Sequence, residues 1–446
     1  MIGVGAREAA LVWKLRQSSS FSVVYSFPGN PAWGKDLYTI APGFSGQSLP
    51  TDQAGWGRLL GIAKNHGISL VVVGPENALA QGIADAGEEI GLFVFGPNKF
   101  AAQLESSKQF AKKMMIAAGI PTAKAKVCKS YIEAKQSAEE RLSEPGTKRI
   151  VLKADGLAAG KGVSICSNMT EVEQCLADFE ALMPEASRDI LVEEFLEGRE
   201  CSFFVACDGA GGCLPFGFAV DYKRRFDGDE GPNTGGMGSY SPVPWLPEDA
   251  SNQVMERVVK PLMSQLLQHG VKYCGWLYVG LMWGDSGPQV IEFNVRLGDP
   301  EAQTLAVSDP ADWGQILVEA SKGQSWGQRA HISNQAIGQR IPTVGIVAVV
   351  GSYPGPATKD DISGIWPLEI MGQMGSLEDE VVLFGAGAVA EGVEVFPLSG
   401  RVLTVVARDL SWDHARAKAY RAIEALKAFW PAGAFRRDIA KGLEAL

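Results

Sequence analysis

A glycine-rich loop between two apolar runs constrains the fold more than any other feature of this chain. Residues 150–152 and 163–166 are apolar enough to form strands, and the chain between them is rich in glycine. The segment carries three glycines and two lysines, namely Gly156, Gly160, Gly162, Lys153 and Lys161. Glycine lets a backbone close over a ligand and turn its N–H groups toward it. The segment therefore predicts a β-hairpin that covers a polyphosphate. From this loop alone, a hairpin with two solvated lysines is the alternative.

Charge and composition narrow the class of partner. The 446-residue chain has a formal net charge of −10, which disfavours nucleic acid because a phosphate backbone needs a basic face. A small anionic substrate stays possible, since local cations can override the global sign. No apolar run approaches the roughly 20 residues of a membrane helix. Charged residues near the N-terminus interrupt the apolar stretch that a signal peptide would need. We therefore expect small-molecule partners, with neither nucleic acid nor membrane.

The cysteines indicate the compartment and argue against zinc. The seven cysteines show no C-x-x-C spacing, and the chain has only four histidines. An odd number of scattered thiols is typical of a reducing compartment, so we predict a cytoplasmic protein.

Residues 1–98 alternate between strand and helix patterns. The strand-like runs are 22–27, 69–73 and 92–95, and the helix-like runs are 7–17, 52–65 and 77–87. This alternation predicts an open parallel α/β sheet, whose ligands bind beyond the carboxyl ends of the strands. Three loops fall at those ends, at residues 3–7, 28–30 and 74–76.

The rest of the chain divides into two further predicted units. Residues 99–325 contain a β-α-β-β-α-β pattern over 122–195, which predicts a small mobile lobe carrying the hairpin. Strand-rich runs at 200–220 and 275–294 flank a helix near 249–269. Residues 326–446 form a C-terminal α/β unit, with strands near 343–350 and 401–407 and a helix near 412–428. The predicted class is α/β, with α+β character in the central unit.

Residues 290–301 carry the second strong signal. Alternate residues of a strand face the same side, so Glu292 and Asn294 project together and Arg296 follows at the strand end. Hard oxygen ligands on one face suit Mg²⁺ completed by substrate phosphates. The arginine suits a carboxylate or phosphate held in a bidentate fork. The polar face of an exposed strand is the alternative for this segment alone.

Two weaker segments add polar groups. Residues 191–200 end a strand in an acidic turn, where backbone groups could meet an adenine edge and Glu200 a ribose. Residues 221–238 combine a basic stretch with a glycine-rich loop, which is a good anion cradle. Solvated surface loops are the alternative for both.

Taken in this order, the segments resemble the phosphoribosylamine–glycine ligases, the glycinamide ribonucleotide synthetase family of purine biosynthesis. The most specific matches are residues 152–163, 231–242 and 291–301. The resemblance implies an ATP-grasp fold and ATP-dependent ligation of glycine to 5-phosphoribosylamine through a glycyl phosphate. The products would be glycinamide ribonucleotide, ADP and phosphate, and Mg²⁺ or Mn²⁺ would be the cofactor.

The family's site residues map onto this chain by motif. The resemblance implies ATP contacts at Lys108, Lys153, Gly156, Gly160, Lys161, Gly162, Glu193, Glu194, Leu196 and Glu200, and metal ligands at Glu292 and Asn294. It implies substrate contacts at Gly5, Arg7, Glu8, Pro28, Gly29, Asn30, Gly74, Pro75, Glu76, Asp221, Lys223, Thr234, Gly235, Gly236, Met237, Gly238 and Arg296. Arg296, Lys153 and Asp221 are the predicted catalytic residues. A monomer or weak oligomer is expected.

Three other functions compete with this interpretation. A dinucleotide-dependent oxidoreductase is disfavoured, because Glu8 stands where the third glycine of the fingerprint belongs. Another ATP-grasp ligase with a different carboxylate or amine is more compatible with the motifs. A nucleotide-binding descendant with weakened catalysis is the third, because Ala9 replaces a family histidine and the opening strand is short.

Overall fold

The computed structural model describes most of the chain. The described residues are 1–33, 49–157, 162–182, 189–322, 326, 340–355, 380–391, 394–427, 430 and 433–443. The predicted ATP contacts Gly160 and Lys161 lie outside them.

The N-terminal region is a small parallel sheet with helices around it. Its strands are β1 Ile2–Gly3, β2 Phe27–Pro28, β3 Leu70–Val72 and β4 Phe93–Phe95. Its helices are α1 Ala6–Arg16, α2 Gln53–Asn65, α3 Glu76–Ala80 and α4 Ile83–Ile90. Strand β1 pairs in parallel with β2, and β3 with β4, while a parallel bridge from Ile2 to Val73 joins the two pairs. The predicted parallel arrangement is confirmed.

Two predicted elements of this region are wrong in extent. The strand expected over residues 22–27 is reduced to β2, because β1 offers only two residues to pair with. The helix expected over 77–87 is broken into α3 and α4. Gly82 takes a φ of 89° at the break, a left-handed conformation that ends one helix before the next begins.

The predicted mobile lobe is a four-stranded antiparallel sheet backed by two helices. Helices α5 Gln103–Ser106 and α6 Lys108–Ala117 lead into it. It contains β5 Ala125–Cys128, α7 Tyr131–Leu142, β6 Ile150–Ala154, β7 Val163–Cys166, α8 Met169–Leu182 and β8 Ile190–Glu194. The strand order β5-β8-β6-β7 makes β6 and β7 a hairpin, as predicted. The lobe has a core of its own, in which Leu152, Phe179 and Val192 are buried.

A large antiparallel sheet forms the body of the molecule. Its first strands are β9 Arg199–Asp208, β10 Cys213–Asp221, β13 Gly238–Ser241, β14 Cys274–Gly284 and β15 Gly287–Asn294. The short hairpin β11 Arg224–Phe226 and β12 Glu230–Asn233 precedes β13. The helices are α9 Ala250–Val254, α10 Lys260–Gln268, α11 Glu301–Ser308 and α12 Trp313–Ser321, with a π-helical turn, Met255–Val259, joining the first two.

The same sheet continues into the C-terminal region. Strands β16 Thr343–Val349, β17 Val381–Gly385 and β20 Arg401–Arg408 extend it to eight strands, in the order β15-β14-β9-β10-β13-β16-β20-β17. The remaining elements are the hairpin β18 Ala388–Glu391 and β19 Glu394–Pro397 and the helix α13 Trp412–Leu426. Backbone hydrogen bonds between β13 and β16 therefore cross the predicted boundary near residue 325. The division at 98 and 325 stays a prediction.

Both faces of the large sheet are covered. Along β9, Phe203 and Val205 belong to the core shared with α6 and α10, whereas Phe204 and Ala206 belong to the core shared with α1 and α11. This alternation is the two-residue period of a strand buried on both sides. Among the described residues, no helix combines the length and apolarity needed to cross a membrane.

Candidate active site

A polar cleft of about 340 Å³ lies where the N-terminal sheet, the lobe and the large sheet meet. Many of its lining residues come from the predicted motifs, namely Arg7, Glu76, Lys108, Lys153, Gly156, Gly162, Glu193, Asp221, Lys223, Thr234, Gly235, Glu292, Asn294 and Arg296. Residues distant in sequence are thus brought into one cavity, with Lys153 and Glu292 both on its wall.

Glu292 and Asn294 project together from β15 into the cleft. The Asn294 amide donates to Glu292 Oε1 at 3.3 Å, and the two residues pair across from Gly280 and Tyr278 of β14. A side chain at Gly280 would place its Cβ 3.1 Å from Glu292 Cγ, so glycine leaves room for the carboxylate. Glu292 therefore stands beside an amide group in an oxygen-rich corner.

Three lysines keep the Glu292 carboxyl ionised. Burial alone would raise the pKa of Glu292, but the charges of Lys223, Lys153 and Lys108 bring it below its ordinary value. The Glu292 carboxylate thus faces three lysine side chains in the cleft. Among the described residues, no three His, Cys, Asp or Glu side chains converge to complete a metal site from protein alone.

Lys153 is fixed at the base of the hairpin by Glu193. Its Nζ lies 2.8 Å from Glu193 Oε2 and donates to the carbonyl of Ile291 at 3.0 Å. Lys112 pairs with the other Glu193 oxygen at 3.0 Å. All three side chains are nearly inaccessible to solvent. The carboxylate of Glu193 is therefore occupied by two cations, and Lys153 bridges the lobe to β15.

The N-terminus of α6 holds the hairpin loop. The Asp155 carboxylate accepts from the Ser107 hydroxyl at 3.1 Å and from the Gln109 N–H at 3.2 Å. Lys108 donates to the Gly156 carbonyl at 2.8 Å. Burial lowers the pKa of Lys108, although Glu292 and Asp155 oppose that effect. Asp155 and Lys108 therefore tie the loop to the cleft from both sides.

Arg296 lies between two acidic side chains. Its Nη2 is 2.7 Å from Glu105 Oε1, and its Nε is 3.3 Å from Glu76 Oε2. Burial and the charge of Glu76 raise the pKa of Glu105 to about 7, against the lowering effect of Arg296. Glu105 is a site residue that sequence reasoning missed. The signal that could have found it is its position three residues before Lys108, a predicted ATP contact.

A second acidic group lies around Lys223. Lys223 Nζ is 3.4 Å from Asp221 Oδ1 and also pairs with Glu200. Burial raises the pKa of Asp221 despite the opposing charge of Lys223, and burial together with Asp221 raises the pKa of Glu301 to about 8. Glu301 lines the cleft and was also missed, although it ends the motif at 291–301. Asp221 and Glu301 are thus two carboxyl groups that line the same cleft.

The C-terminal region supplies the remaining wall. Arg401 donates to the carbonyl of Gly235 at 2.8 Å, and the Tyr353 hydroxyl accepts from the Gly235 N–H at 2.9 Å. Thr234 closes the same loop by donating to the Lys223 carbonyl at 2.9 Å. Sequence reasoning assigned the loop to the site but not Arg401 or Tyr353, because nothing in a single sequence shows which distant residue packs on a loop.

Several residues predicted to contact ligands do not line the cleft and instead stabilise the fold. Glu8 accepts from the Gly5 N–H at 2.6 Å and caps α1, and the buried Asn30 amide donates to the carbonyls of Val4 and Ala386 at 2.7 Å. Met237 is wholly buried in an apolar cluster. The predicted contacts absent from the cleft lining are Gly5, Glu8, Pro28, Gly29, Asn30, Gly74, Pro75, Glu194, Leu196, Glu200, Gly236, Met237 and Gly238. Their assignment to ligands stays a prediction.

The chain matches one family along most of its length. Residues 1–105, 106–302 and 343–442 match, respectively, the models of the N domain, the ATP-grasp (A) domain and the C domain of phosphoribosylglycinamide synthetase. A phosphoribosylamine–glycine ligase of Mesorhizobium japonicum is 38% identical over 440 residues, covering 98% of this chain and 96% of the relative. A ligase of the same name from Pseudomonas aeruginosa is 37% identical over 442 residues, with the same coverage of 98% and 96%.

Solved structures agree with the fold. The crystal structure of phosphoribosylamine–glycine ligase from Thermotoga maritima has a TM-score of 0.71 and 27% identity, covering 98% of both chains. The biotin carboxylase domain of a Hydrogenobacter thermophilus 2-oxoglutarate carboxylase has a TM-score of 0.66 at 16% identity, covering 95% of this chain and 88% of that one. The second likeness concerns the fold alone. The predicted ATP-grasp fold is confirmed.

Proposed function

The chain belongs to the phosphoribosylglycinamide synthetase family, and from that premise we propose that it ligates glycine to 5-phosphoribosylamine with consumption of ATP. The products are glycinamide ribonucleotide, ADP and phosphate. The single observation that carries the proposal is the cleft in which Lys108 and Lys153 face Glu292 and Asn294 while Arg296 lies on the same wall. One cavity thus offers groups for a nucleoside triphosphate and for a carboxylate.

The acidic corner fits Mg²⁺ or Mn²⁺. Glu292 is ionised by its lysine neighbours, and Asn294 adds an amide beside it. Two protein ligands suit Mg²⁺, which keeps several waters and takes substrate phosphates as further ligands. When bound there, the ion would supply charge neutralisation for phosphoryl transfer.

The lysines position the triphosphate. Lys153 enters from the hairpin side and Lys108 from the N-terminus of α6, so their charges approach the phosphates from different elements. Phosphoryl transfer is mainly a problem of positioning and charge, which such preorganised cations address. The loop after Lys153 would close over the phosphates, and Gly156, at a φ of 108°, allows its first turn.

The reaction solves a leaving-group problem. A carboxylate oxygen leaves poorly, so glycine and an amine do not condense in water. Transfer of the ATP γ-phosphate to the glycine carboxylate gives an acyl phosphate and ADP. The amine then attacks the carbonyl carbon, the C–O bond to phosphate breaks, and the amine loses a proton. No nucleophilic side chain is required, and closure of the hairpin would keep water from the acyl phosphate.

The remaining polar groups divide between the two other substrates. Arg296 would bind the glycine carboxylate through a charge-assisted hydrogen bond from its guanidinium. Burial raises the pKa values of Asp221 and Glu301, and a substrate ammonium beside them would stabilise both ionised carboxylates. Arg7 and Glu76, at the carboxyl edge of the N-terminal sheet, would meet phosphoribosylamine. The small-molecule partners follow from these assignments. A monomer or weak oligomer and a cytoplasmic location remain predictions, the latter supported by seven cysteines that are all free thiols.

The test is a coupled ADP assay with ATP, glycine and phosphoribosylamine, each omitted in turn. ADP release that requires both glycine and the amine supports the proposal. Release with a different carboxylate at a higher kcat/KM would favour another ATP-grasp ligase. Nucleotide binding without turnover under any combination would favour the weakened descendant.

A further inference from the structure

Arg296 is held by two carboxylates of unequal character. Glu105 contacts its Nη2 at 2.7 Å and has a side chain only 6% exposed, whereas Glu76 lies 3.3 Å from its Nε and is 28% exposed. The Nε is buried and makes no hydrogen bond within the described structure, so the Glu76 contact is an ion pair alone. Glu105 therefore makes the closer and less solvent-exposed contact with the guanidinium.

Glu105 also contacts the strand that carries the arginine. Its Oε2 accepts from the backbone N–H of Val295 at 2.8 Å, while Oε1 faces Arg296. The Glu105 carboxylate thus contacts both the Arg296 guanidinium and the backbone of the preceding residue, Val295, and so fixes one relative to the other. The helix that carries Glu105, α5, is anchored by Leu104, which is 1% exposed in the main core. The helix that carries Glu105 is therefore anchored in the core.

Glu76 lacks this second attachment. It approaches Arg296 and, at 4.0 Å, Arg7, and no described backbone group of β15 donates to its carboxylate. A substrate carboxylate of the same chemistry could take the place of Glu76 at the Nε of Arg296. The Nη2 edge is closed to such an exchange by Glu105.

We propose that Glu105 is a positioning residue, which holds Arg296 in the orientation that binds the carboxylate of the amino-acid substrate. The inference rests on the proposed function, because it takes glycine as the ligand of Arg296. Glu76 is the exchangeable partner, so the two carboxylates have opposite effects on that substrate.

The first experiment measures KM for glycine and for ATP in Glu105→Gln. A carboxamide can still accept from the Val295 N–H, but it cannot neutralise the guanidinium, so the fold is kept and the arginine is released. KM for glycine should rise roughly tenfold or more, while KM for ATP stays within about twofold of the native value. Glu105→Asp, which restores the charge with a shorter reach, should recover part of the loss.

Glu76→Gln is the matched comparison. Removing the exchangeable partner should lower KM for glycine, measured at saturating phosphoribosylamine because Glu76 also lies on the wall proposed for that substrate. Equal increases in KM for glycine in Glu76→Gln and Glu105→Gln would overturn the distinction between them. A parallel rise in KM for ATP and glycine in Glu105→Gln would assign Glu105 a merely structural role.

A double-mutant cycle shows whether Glu105 acts through Arg296. In an Arg296→Met background, Glu105→Gln should change glycine affinity by no more than about twofold, because its target is gone. Effects that multiply would contradict the proposal. Calorimetric titration of glycine in the presence of a non-hydrolysable ATP analogue provides the affinities where turnover is too slow.

A crystal structure of Glu105→Gln separates this inference from the proposed function. The Arg296 guanidinium should leave its native position, and an unchanged orientation would overturn the positioning role whatever the enzyme catalyses. Absence of ADP release by the native protein, by contrast, would defeat the proposed function and leave the contact between Glu105 and Arg296 to be judged by that structure.

Discussion

Arg401 and Asp299 are joined by two hydrogen bonds. Arg401 Nη1 donates to the Asp299 main-chain carbonyl at 2.7 Å, and Nη2 donates to its carboxylate at 3.0 Å. A third bond, from Nη1 to the Gly235 carbonyl, makes this side chain of β20 the clamp between the glycine-rich loop and the segment after β15. A strand of the C-terminal region therefore shapes the cleft directly.

Arg401→Lys should impair catalysis more than stability. A single ammonium cannot reproduce the planar fork that reaches three oxygens, so the loop would lose its fixed position. We expect kcat/KM to fall roughly tenfold or more. Steady-state kinetics checks this, with Arg408→Lys as the control, because that arginine of the same strand pairs with Glu380 and does not line the cleft. Similar losses in both variants would show a general effect of the strand.

Glu292→Ala should abolish ADP release coupled to ligation while leaving the fold intact. Of the two proposed metal ligands, Glu292 and Asn294, only Glu292 carries a negative charge, so its removal leaves a neutral amide as the remaining ligand. Turnover should fall by roughly a hundredfold or more, and circular dichroism should be unchanged. Glu256→Ala, an exposed glutamate paired with Lys260, is the control and should retain activity. A fully active Glu292→Ala enzyme would rule out the metal assignment.

Lys153→Ala should weaken ATP binding. It removes a cation from the phosphate side of the cleft, while Lys112 continues to neutralise Glu193 and limits the cost to stability. Calorimetry should show the dissociation constant for ATP rising roughly tenfold. Lys135→Ala, which removes an exposed partner of Glu173, serves for comparison. Unchanged ATP affinity in Lys153→Ala would count against the hairpin as a phosphate cover.

Asp155→Ala should uncouple ATP hydrolysis from ligation. The substitution removes the acceptor for Ser107 and for the Gln109 N–H, so the loop loses its tie to α6 at a cost of about 1 kcal/mol. A loosely closed loop admits water to the acyl phosphate. The ratio of ADP to glycinamide ribonucleotide should rise above one. Asp178→Ala on the lobe surface should leave the ratio at one, and a ratio of one in Asp155→Ala would contradict the role of the tie.

Lys14 should make stability depend on pH in the alkaline range. Burial lowers its pKa from 10.5 to about 8, against the opposing charge of Asp309. Between those two pH values the unfolded chain binds the proton that the folded protein has released, so the free energy of unfolding rises with pH. Relative to Lys14→Met, the gain should reach about 3 kcal/mol at most. Urea denaturation of both proteins at several pH values measures it, and a constant difference would contradict the lowered pKa.

The order of elements could be predicted from the sequence because local patterns specify it. The hairpin of β6 and β7, the β-α-β-β-α-β lobe and the shared face of Glu292 and Asn294 all follow from the two-residue period of strands and from glycine at turns. The lengths of β2 and of the helix near 77–87 could not be predicted. The first depends on how much partner strand exists, and the second on the left-handed backbone of Gly82.

The site was predictable only where its residues share a motif. Glu292, Asn294 and Arg296 are neighbours in sequence, so their convergence follows from one strand. Glu105 reaches the same cleft from 190 residues before Val295, and Arg401 from 102 residues after Asp299, so only the tertiary fold brings them together. Met237 shows the converse, since it belongs to a motif predicted to bind substrate but packs into an apolar core.

The pairing of β13 with β16 sets a limit on how this molecule can be dissected. A fragment ending before β16 would present β13 as a bare edge, with a row of backbone N–H and C=O groups and no strand to satisfy them. Such fragments should self-associate through that edge rather than persist as a soluble nucleotide-binding core. We therefore expect that fragments truncated before β16 will not fold as stable soluble proteins, although the sequence can be divided into three predicted units.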